Sequence, residues 1–168
     1  MKKTITKLFN QINQEPRRFA AYAVFVIALF GMLGSLYYSN YGDPLGNIYT
    51  RDMFPIGEGF PPCRLCWYAR ILLYPMVPIT LLGILKKDKN VLTYLLPLSV
   101  LGVLLTTYHS MLQWFPNTVE TLGGNCDIIN PCNVSEVAYL GFITIPFLGF
   151  IAFTLITAII LLSNRQRD

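Results

Sequence analysis

The chain has 168 residues, 54% of them hydrophobic and only 13% charged. Water-soluble domains carry about 25% charged residues, so this balance excludes an ordinary soluble globule. The net charge of +4 comes from short basic clusters beside apolar runs, and no basic face of the kind that binds nucleic acid is present.

Taken in chain order, the first feature is Ile5, Leu8, Phe9 and Ile12 at helical spacing among lysines, which predicts a short amphipathic helix on a membrane surface. An apolar run follows over 19–38. It exceeds the roughly 7–15 residues of a signal-peptide core and has no small-x-small cleavage site after it, so a retained span is expected. Further apolar runs occupy 65–85, 91–115 and 137–162. Each is long enough to cross a hydrocarbon core of about 30 Å as a helix. The expected fold is an all-α integral membrane bundle of four transmembrane helices, forming a single domain over 1–168 with loops at 39–64 and 116–136. Gly31, Gly34, Gly141 and Gly149 are expected to let these helices approach closely.

Basic residues set the expected orientation. Lys2, Lys3, Lys7, Arg17 and Arg18 precede the first span, Lys86, Lys87 and Lys89 separate the second from the third, and Arg165 and Arg167 end the chain. The other two loops hold only Arg51 and Arg64. The positive-inside rule then makes both termini cytoplasmic and turns the two longer loops outward. All four cysteines, Cys63, Cys66, Cys126 and Cys132, fall in or beside those outward loops, on the side where disulfides persist.

Pro61 and Pro62 lead into Cys63-Arg64-Leu65-Cys66 at the threshold of the second span, with Arg70 following. On a helix, Cys63, Cys66 and Arg70 share one face. A Cys-x-x-Cys pair at a helix N-terminus has its thiolate favoured by the helix dipole, and the thiolate is the species that exchanges with disulfides. Cys66 lies about 4.5 Å deeper than Cys63, so Cys63 is placed to meet a sulfur from above and Cys66 to meet a molecule dissolved in lipid. Arg70 either reaches up to headgroups or stabilises a thiolate and a bound carbonyl. Pro75 and Pro78 are expected to bend this span. His109, the single histidine, lies inside the third span, where an ionisable group is either a packed hydrogen-bonding residue or part of a site. Gly123-Gly124-Asn125 before Cys126 is a turn and hinge signal.

The cysteine spacing lacks the paired pattern of zinc sites and places His109 too deep to join the cysteines, so no resident metal is expected. Two structural disulfides in a non-enzymatic membrane scaffold remain an alternative to redox chemistry.

Residues Pro62-Cys63-Arg64-Leu65-Cys66-Trp67-Tyr68-Ala69-Arg70 resemble the Cys-x-Leu-Cys-x-Tyr-Gln-Arg signature of the DsbB/BdbC membrane thiol:quinone oxidoreductases. His109-Ser110-Met111-Leu112-Gln113 with Pro116 resembles that family's third span, and Tyr139–Pro146 the start of its fourth. Ala69 stands where the family usually has Gln, and 42–60 resembles an insertion in the first outward loop.

The resemblance implies a protein-disulfide:quinone oxidoreductase of the bacterial cytoplasmic membrane that reoxidises an extracytoplasmic thioredoxin-like, DsbA-type dithiol protein. It further implies that the partner attacks Cys126, that Cys132 resolves or exchanges with Cys63, and that Cys66 passes electrons to a lipid quinone (ubiquinone or menaquinone). Arg70 and His109 would then line the quinone site. A quinone-coupled reductase running the opposite way shares the fold.

Overall fold

The computed structural model describes residues 16–41, 62–88, 90–115, 132, 138–139 and 142–165. The amphipathic N-terminal segment, most of both longer loops and Cys126 lie outside the described residues. Helix α1 spans Pro16–Tyr41. The second span is divided into α2, Arg64–Leu73, and α3, Met76–Leu85. Helix α4 covers Val91–Trp114. Two short antiparallel strands follow, β1 at Ala138–Tyr139 and β2 at Ile143–Thr144, with Ala138 opposite Thr144 and Tyr139 opposite Ile143. Helix α5, Ile145–Arg165, is the last element.

Four helices are long and apolar enough to cross a membrane, over Arg17–Tyr41, Arg64–Leu85, Val91–Trp114 and Ile145–Arg165. The expected four-helix bundle is therefore present, with two changes of detail. The second span breaks at Tyr74-Pro75, because Pro75 has no N–H to give the carbonyl of Ile71. Tyr74 N–H still reaches Arg70 O at 2.8 Å, and Val77 N–H closes a tighter turn onto Tyr74 O at 3.2 Å. Only this one of the two expected prolines ends a helix; Pro78 lies in the first turn of α3, where a missing N–H is tolerated.

The fourth span starts at Ile145, well after the expected 137. The apolar run before it pairs as β1 and β2 instead, so hydrophobicity alone placed the boundary too early. Pro146 occupies the first turn of α5, again a position that needs no N–H.

The most extensive helix contact is between α4 and α5, and α1 packs on α3 and α5 while α2 packs on α4. Val24 and Ala28 of α1, Met76 of α3, Leu92 and Leu95 of α4, and Ile156 and Ile160 of α5 are buried together. Lipid is as apolar as these side chains, so close packing holds such helices together more than exclusion of water does. Gly102 shows how close the approach is: a Cβ there would lie 2.2 Å from Phe153 Cδ1 on α5. Gly83 is equally tight against Val91, with Cγ2 at 2.3 Å from a built Cβ. Hydroxyls within the spans turn back onto their own helices, Thr106 to Gly102 O at 2.7 Å and Thr157 to Phe153 O at 2.8 Å, which satisfies them without water. At the Lys86 end of the bundle, Arg17 Nη2 donates to Asn164 Oδ1 at 3.0 Å and joins α1 to α5.

Candidate redox site

Cys63 is the N-cap of α2, with extended backbone angles, and its sulfur accepts from Cys66 N–H at 3.4 Å. The helix begins there because Pro62 precedes the cap and α2 opens on Arg64-Leu65-Cys66-Trp67, with Trp67 N–H bonded to Cys63 O at 3.1 Å. One turn of helix brings the two thiols together, with Cys63 Sγ 3.1 Å from Cys66 Sγ. They form a dithiol, since a disulfide bond would be about 2.05 Å long.

The surroundings of the two sulfurs differ. Cys63 is buried, and His109 Nε2 on α4 is 3.6 Å from its Sγ. Cys132, 1% exposed, comes to the same place. The ligating atoms of Cys63, His109 and Cys132 all lie within 4.8 Å of one another. Cys132 is disulfide-bonded. A thiol and a disulfide sulfur at this separation need only a small movement to reach the contact that sulfur exchange requires.

The Cys63 thiol is drawn down from 9.0 to about 4. The hydrogen bond from the Cys66 side chain is the largest cause. Burial opposes it, and the His109 ring, by hydrogen bond and by charge, and then the Cys66 backbone N–H add to the lowering. A neutral ring protonated at Nε2, or the imidazolium, would donate to the thiolate.

On its other side the dithiol borders a cavity of about 240 Å³ between α1, α2, α4 and α5, lined by Cys66, Arg70, His109, Ser35, Gly34 and Phe30 among others. Its lining is mostly apolar. Phe30 and Leu148 border it and are 70% and 41% exposed, so in a membrane its mouth faces acyl chains. Arg70 Nη2 donates to Ser35 O at 3.2 Å and to the Ser39 hydroxyl, while the guanidinium carbon lies 5.6 Å from the Trp67 ring centre. Tyr74 O–H donates to Ser35 Oγ at 3.3 Å. Arg70 therefore ties α2 to α1 across the cavity wall, a firmer placement than reaching up to headgroups.

Of the residues singled out from sequence, Cys63, Cys66, Arg70, His109 and Cys132 come together, and Cys126 lies outside the described residues. His109 is 2% exposed and in direct reach of Cys63, which corrects the expectation that it is too deep to join the cysteines. Ala69 also lines the cavity, so the missing amide leaves room beside Arg70. Ser35 and Ser39 were missed. They are a polar pair one turn apart on a membrane helix, and that spacing is the signal that could have found them. Gly34 was read as a packing residue, yet a Cβ there would have nothing within 4 Å, because it faces the cavity.

A four-helix membrane protein with a dithiol at a helix start, a disulfide against it and a lipid-facing cavity behind it belongs to the class of membrane thiol–disulfide redox proteins. The family model described as "Disulfide bond formation protein DsbB" matches residues 53–163. A "Probable disulfide formation protein C" of Halalkalibacterium halodurans is 37% identical over 140 residues, 83% of this chain and 89% of the relative. The "Disulfide bond formation protein C" of Bacillus subtilis is 36% identical over 149 residues, 88% and 94% of the two chains. The "SPbeta prophage-derived disulfide bond formation protein B" of the same organism is 37% identical over 137 residues, 81% and 79%. No solved structure matches. The chain belongs to the DsbB family of disulfide bond formation proteins, and it is a multi-pass membrane protein.

Proposed function

We propose that the chain is a protein-disulfide:quinone oxidoreductase. It reoxidises an extracytoplasmic thioredoxin-like, DsbA-type dithiol protein and delivers the electrons to a lipid quinone, ubiquinone or menaquinone. The single observation that carries this reading is the two-sided setting of one dithiol: Cys63 lies against the Cys132 disulfide, while Cys66 borders a lipid-facing cavity. The basic clusters support cytoplasmic termini and outward cysteines, in a bacterial cytoplasmic membrane. The relatives' names speak of disulfide formation, which favours the oxidase direction over a reductase.

The cavity fits a quinone headgroup by chemistry. It is apolar, carries a guanidinium, and at about 240 Å³ is smaller than the roughly 300–1,000 Å³ that hold a drug-sized ligand whole. A ring would enter and a long tail would stay in lipid. When bound, a quinone would supply a two-electron, two-proton acceptor.

The chain's own groups do the rest. Cys132 exchanges with Cys63, which is held as a thiolate by the Cys66 side chain and His109. When the partner has reduced the outward pair to thiols and Cys63–Cys66 is the disulfide, the Cys132 thiolate attacks Cys63; the outward disulfide then re-forms, Cys63 and Cys66 are released as the dithiol, and the electron pair has moved inward. Cys66 presents its sulfur to the cavity. Arg70, fixed by Ser35 and Ser39, presents positive charge where a carbonyl oxygen would gain electrons. His109 touches both the sulfur cluster and the cavity, so it can hold a proton between them.

The test is quinone reduction by the purified protein in detergent, driven by a reduced thioredoxin-like dithiol protein. Turnover that disappears in Cys66→Ser is the expected result. Absence of turnover with both ubiquinone and menaquinone analogues, in folded protein with every cysteine oxidised, would establish the stapled scaffold instead.

A further inference from the structure

The sulfur cluster has a second chemistry that electron relay does not use. Cys63 Sγ and His109 Nε2 are 3.6 Å apart, Cys63 Sγ and Cys66 Sγ 3.1 Å, and the Cys132 sulfur lies within 4.8 Å of both Cys63 and His109. Zinc binds thiolates at about 2.3 Å and imidazole at about 2.0–2.1 Å, so neighbouring ligand atoms around a tetrahedral zinc are roughly 3.4–3.8 Å apart. The observed spacings bracket that range. Cys63, His109 and Cys132 are all buried, and Cys66 lies beside the set, 3.1 Å from Cys63 and at the cavity. Two sulfurs and one imidazole nitrogen form a three-point donor set of the kind thiophilic divalent cations favour.

The set is incomplete while Cys132 is in a disulfide, because a disulfide sulfur carries no negative charge for the metal. The geometry points to a redox-gated metal site: when the Cys132 disulfide is reduced, Cys63, Cys132 and His109 capture a thiophilic divalent cation such as Zn²⁺, and capture arrests the relay. Binding displaces thiol protons and changes no oxidation state. The reductant that opens the site is a dithiol, either the partner protein or an added reagent. Capture holds together the sulfurs whose separation and exchange move electrons, so oxidase activity falls as zinc rises. The arrest rests on the proposed oxidase reading; the binding site does not.

The experiment is equilibrium dialysis of the full chain in detergent against Zn²⁺, with protein-bound metal measured after dithiol reduction and removal of the reductant. The expected result is one tightly held Zn²⁺ in the reduced protein and none in the oxidised protein. Cys132→Ser and His109→Gln should each weaken binding by about tenfold or more. Cd²⁺ provides a second readout, because Cys132→Ser should lose about one half of the sulfur-to-metal charge-transfer band when two thiolates bind. Circular dichroism identifies a variant that has lost its helices, and the Cd²⁺ band of the parent then decides the thiolate number. Equal binding to oxidised protein, or undiminished binding in Cys132→Ser, would overturn the site. Zinc that binds the reduced protein while quinone reduction continues unchanged would overturn the arrest. A protein that reduces no quinone but still binds zinc only when reduced would keep the site and refute the oxidase reading.

Discussion

The two ends of the bundle are built to opposite specifications. Toward the Lys86 end, Met76, Val91, Leu92 and Ile160 are buried against one another, and Gly83 leaves no space for even a methyl group beside Val91. Toward the Cys63 end the helices part around a cavity, Gly34 has nothing within 4 Å, and the wall carries a guanidinium, an imidazole and a thiol. Close packing at one end holds the helices in place, so the other end can keep a void and ionisable groups in a medium that disfavours both. Stability and chemistry are thus separated along the membrane normal, and substitutions at the two ends should fail differently.

The largest effect is expected at the dithiol. Cys66→Ser should reduce quinone turnover to background while leaving helix content and thermal unfolding near those of the parent; a variant that turns over normally would remove the relay. Next come the glycines. Gly83→Ala places a Cβ 2.3 Å from Val91 Cγ2, and such overpacking costs about 1–3 kcal/mol, read as an earlier thermal unfolding in detergent. Gly34→Ala should unfold with the parent, whereas Gly34→Leu should fill the cavity and raise the quinone KM about tenfold. If both glycines responded alike, the contrast between the two ends would be lost.

The third prediction concerns pH. The folded state lowers the Cys63 thiol from 9.0 to about 4, so it binds that proton less tightly than the unfolded chain does. The stability this confers on the reduced protein is complete above about pH 9. It is lost progressively as pH falls through that window, and none remains below about pH 4. Alkylation of Cys63 should accordingly vary little from pH 6 to 9, whereas an ordinary thiol rises about tenfold per unit below its pKa. Because Cys66 is the largest cause of the lowering, Cys66→Ala should steepen that profile more than His109→Gln. The smallest effect is expected for Ser39→Ala, which removes one hydrogen bond to Arg70 at a cost of about 1 kcal/mol and should raise the quinone KM only a few-fold. Arg70→Lys should do more, since Nη2 alone bonds Ser35 O and the Ser39 hydroxyl while the rest of the guanidinium lies by the Trp67 ring, and a single ammonium cannot do both.

The sequence carried the spans well because length and apolarity decide them, and the helix start at Cys63 was legible from the prolines before it. The N-terminal limit of α5 was not legible. Residues 137–144 form an apolar run continuous with the helix that follows, and pairing takes Ala138, Tyr139, Ile143 and Thr144 out of it. Cys66 and Arg70 could be placed together because one helix fixes their register. The approach of His109 to Cys63 depends on how α4 packs against α2, a relation between elements that no local pattern encodes. The glycines show the same limit. Gly34 and Gly102 look alike in sequence, yet one faces a void and the other a phenyl ring.

The exposed cavity edge at Phe30 and Leu148 has a consequence for how the proposed quinone would reach the dithiol. Molecules arriving there travel in the plane of the bilayer, so their supply is counted per lipid and not per volume of solution. Apparent affinity should then follow mole fraction in the membrane or micelle. Diluting a proteoliposome preparation with buffer should leave turnover unchanged, while diluting the same protein with empty lipid should slow it.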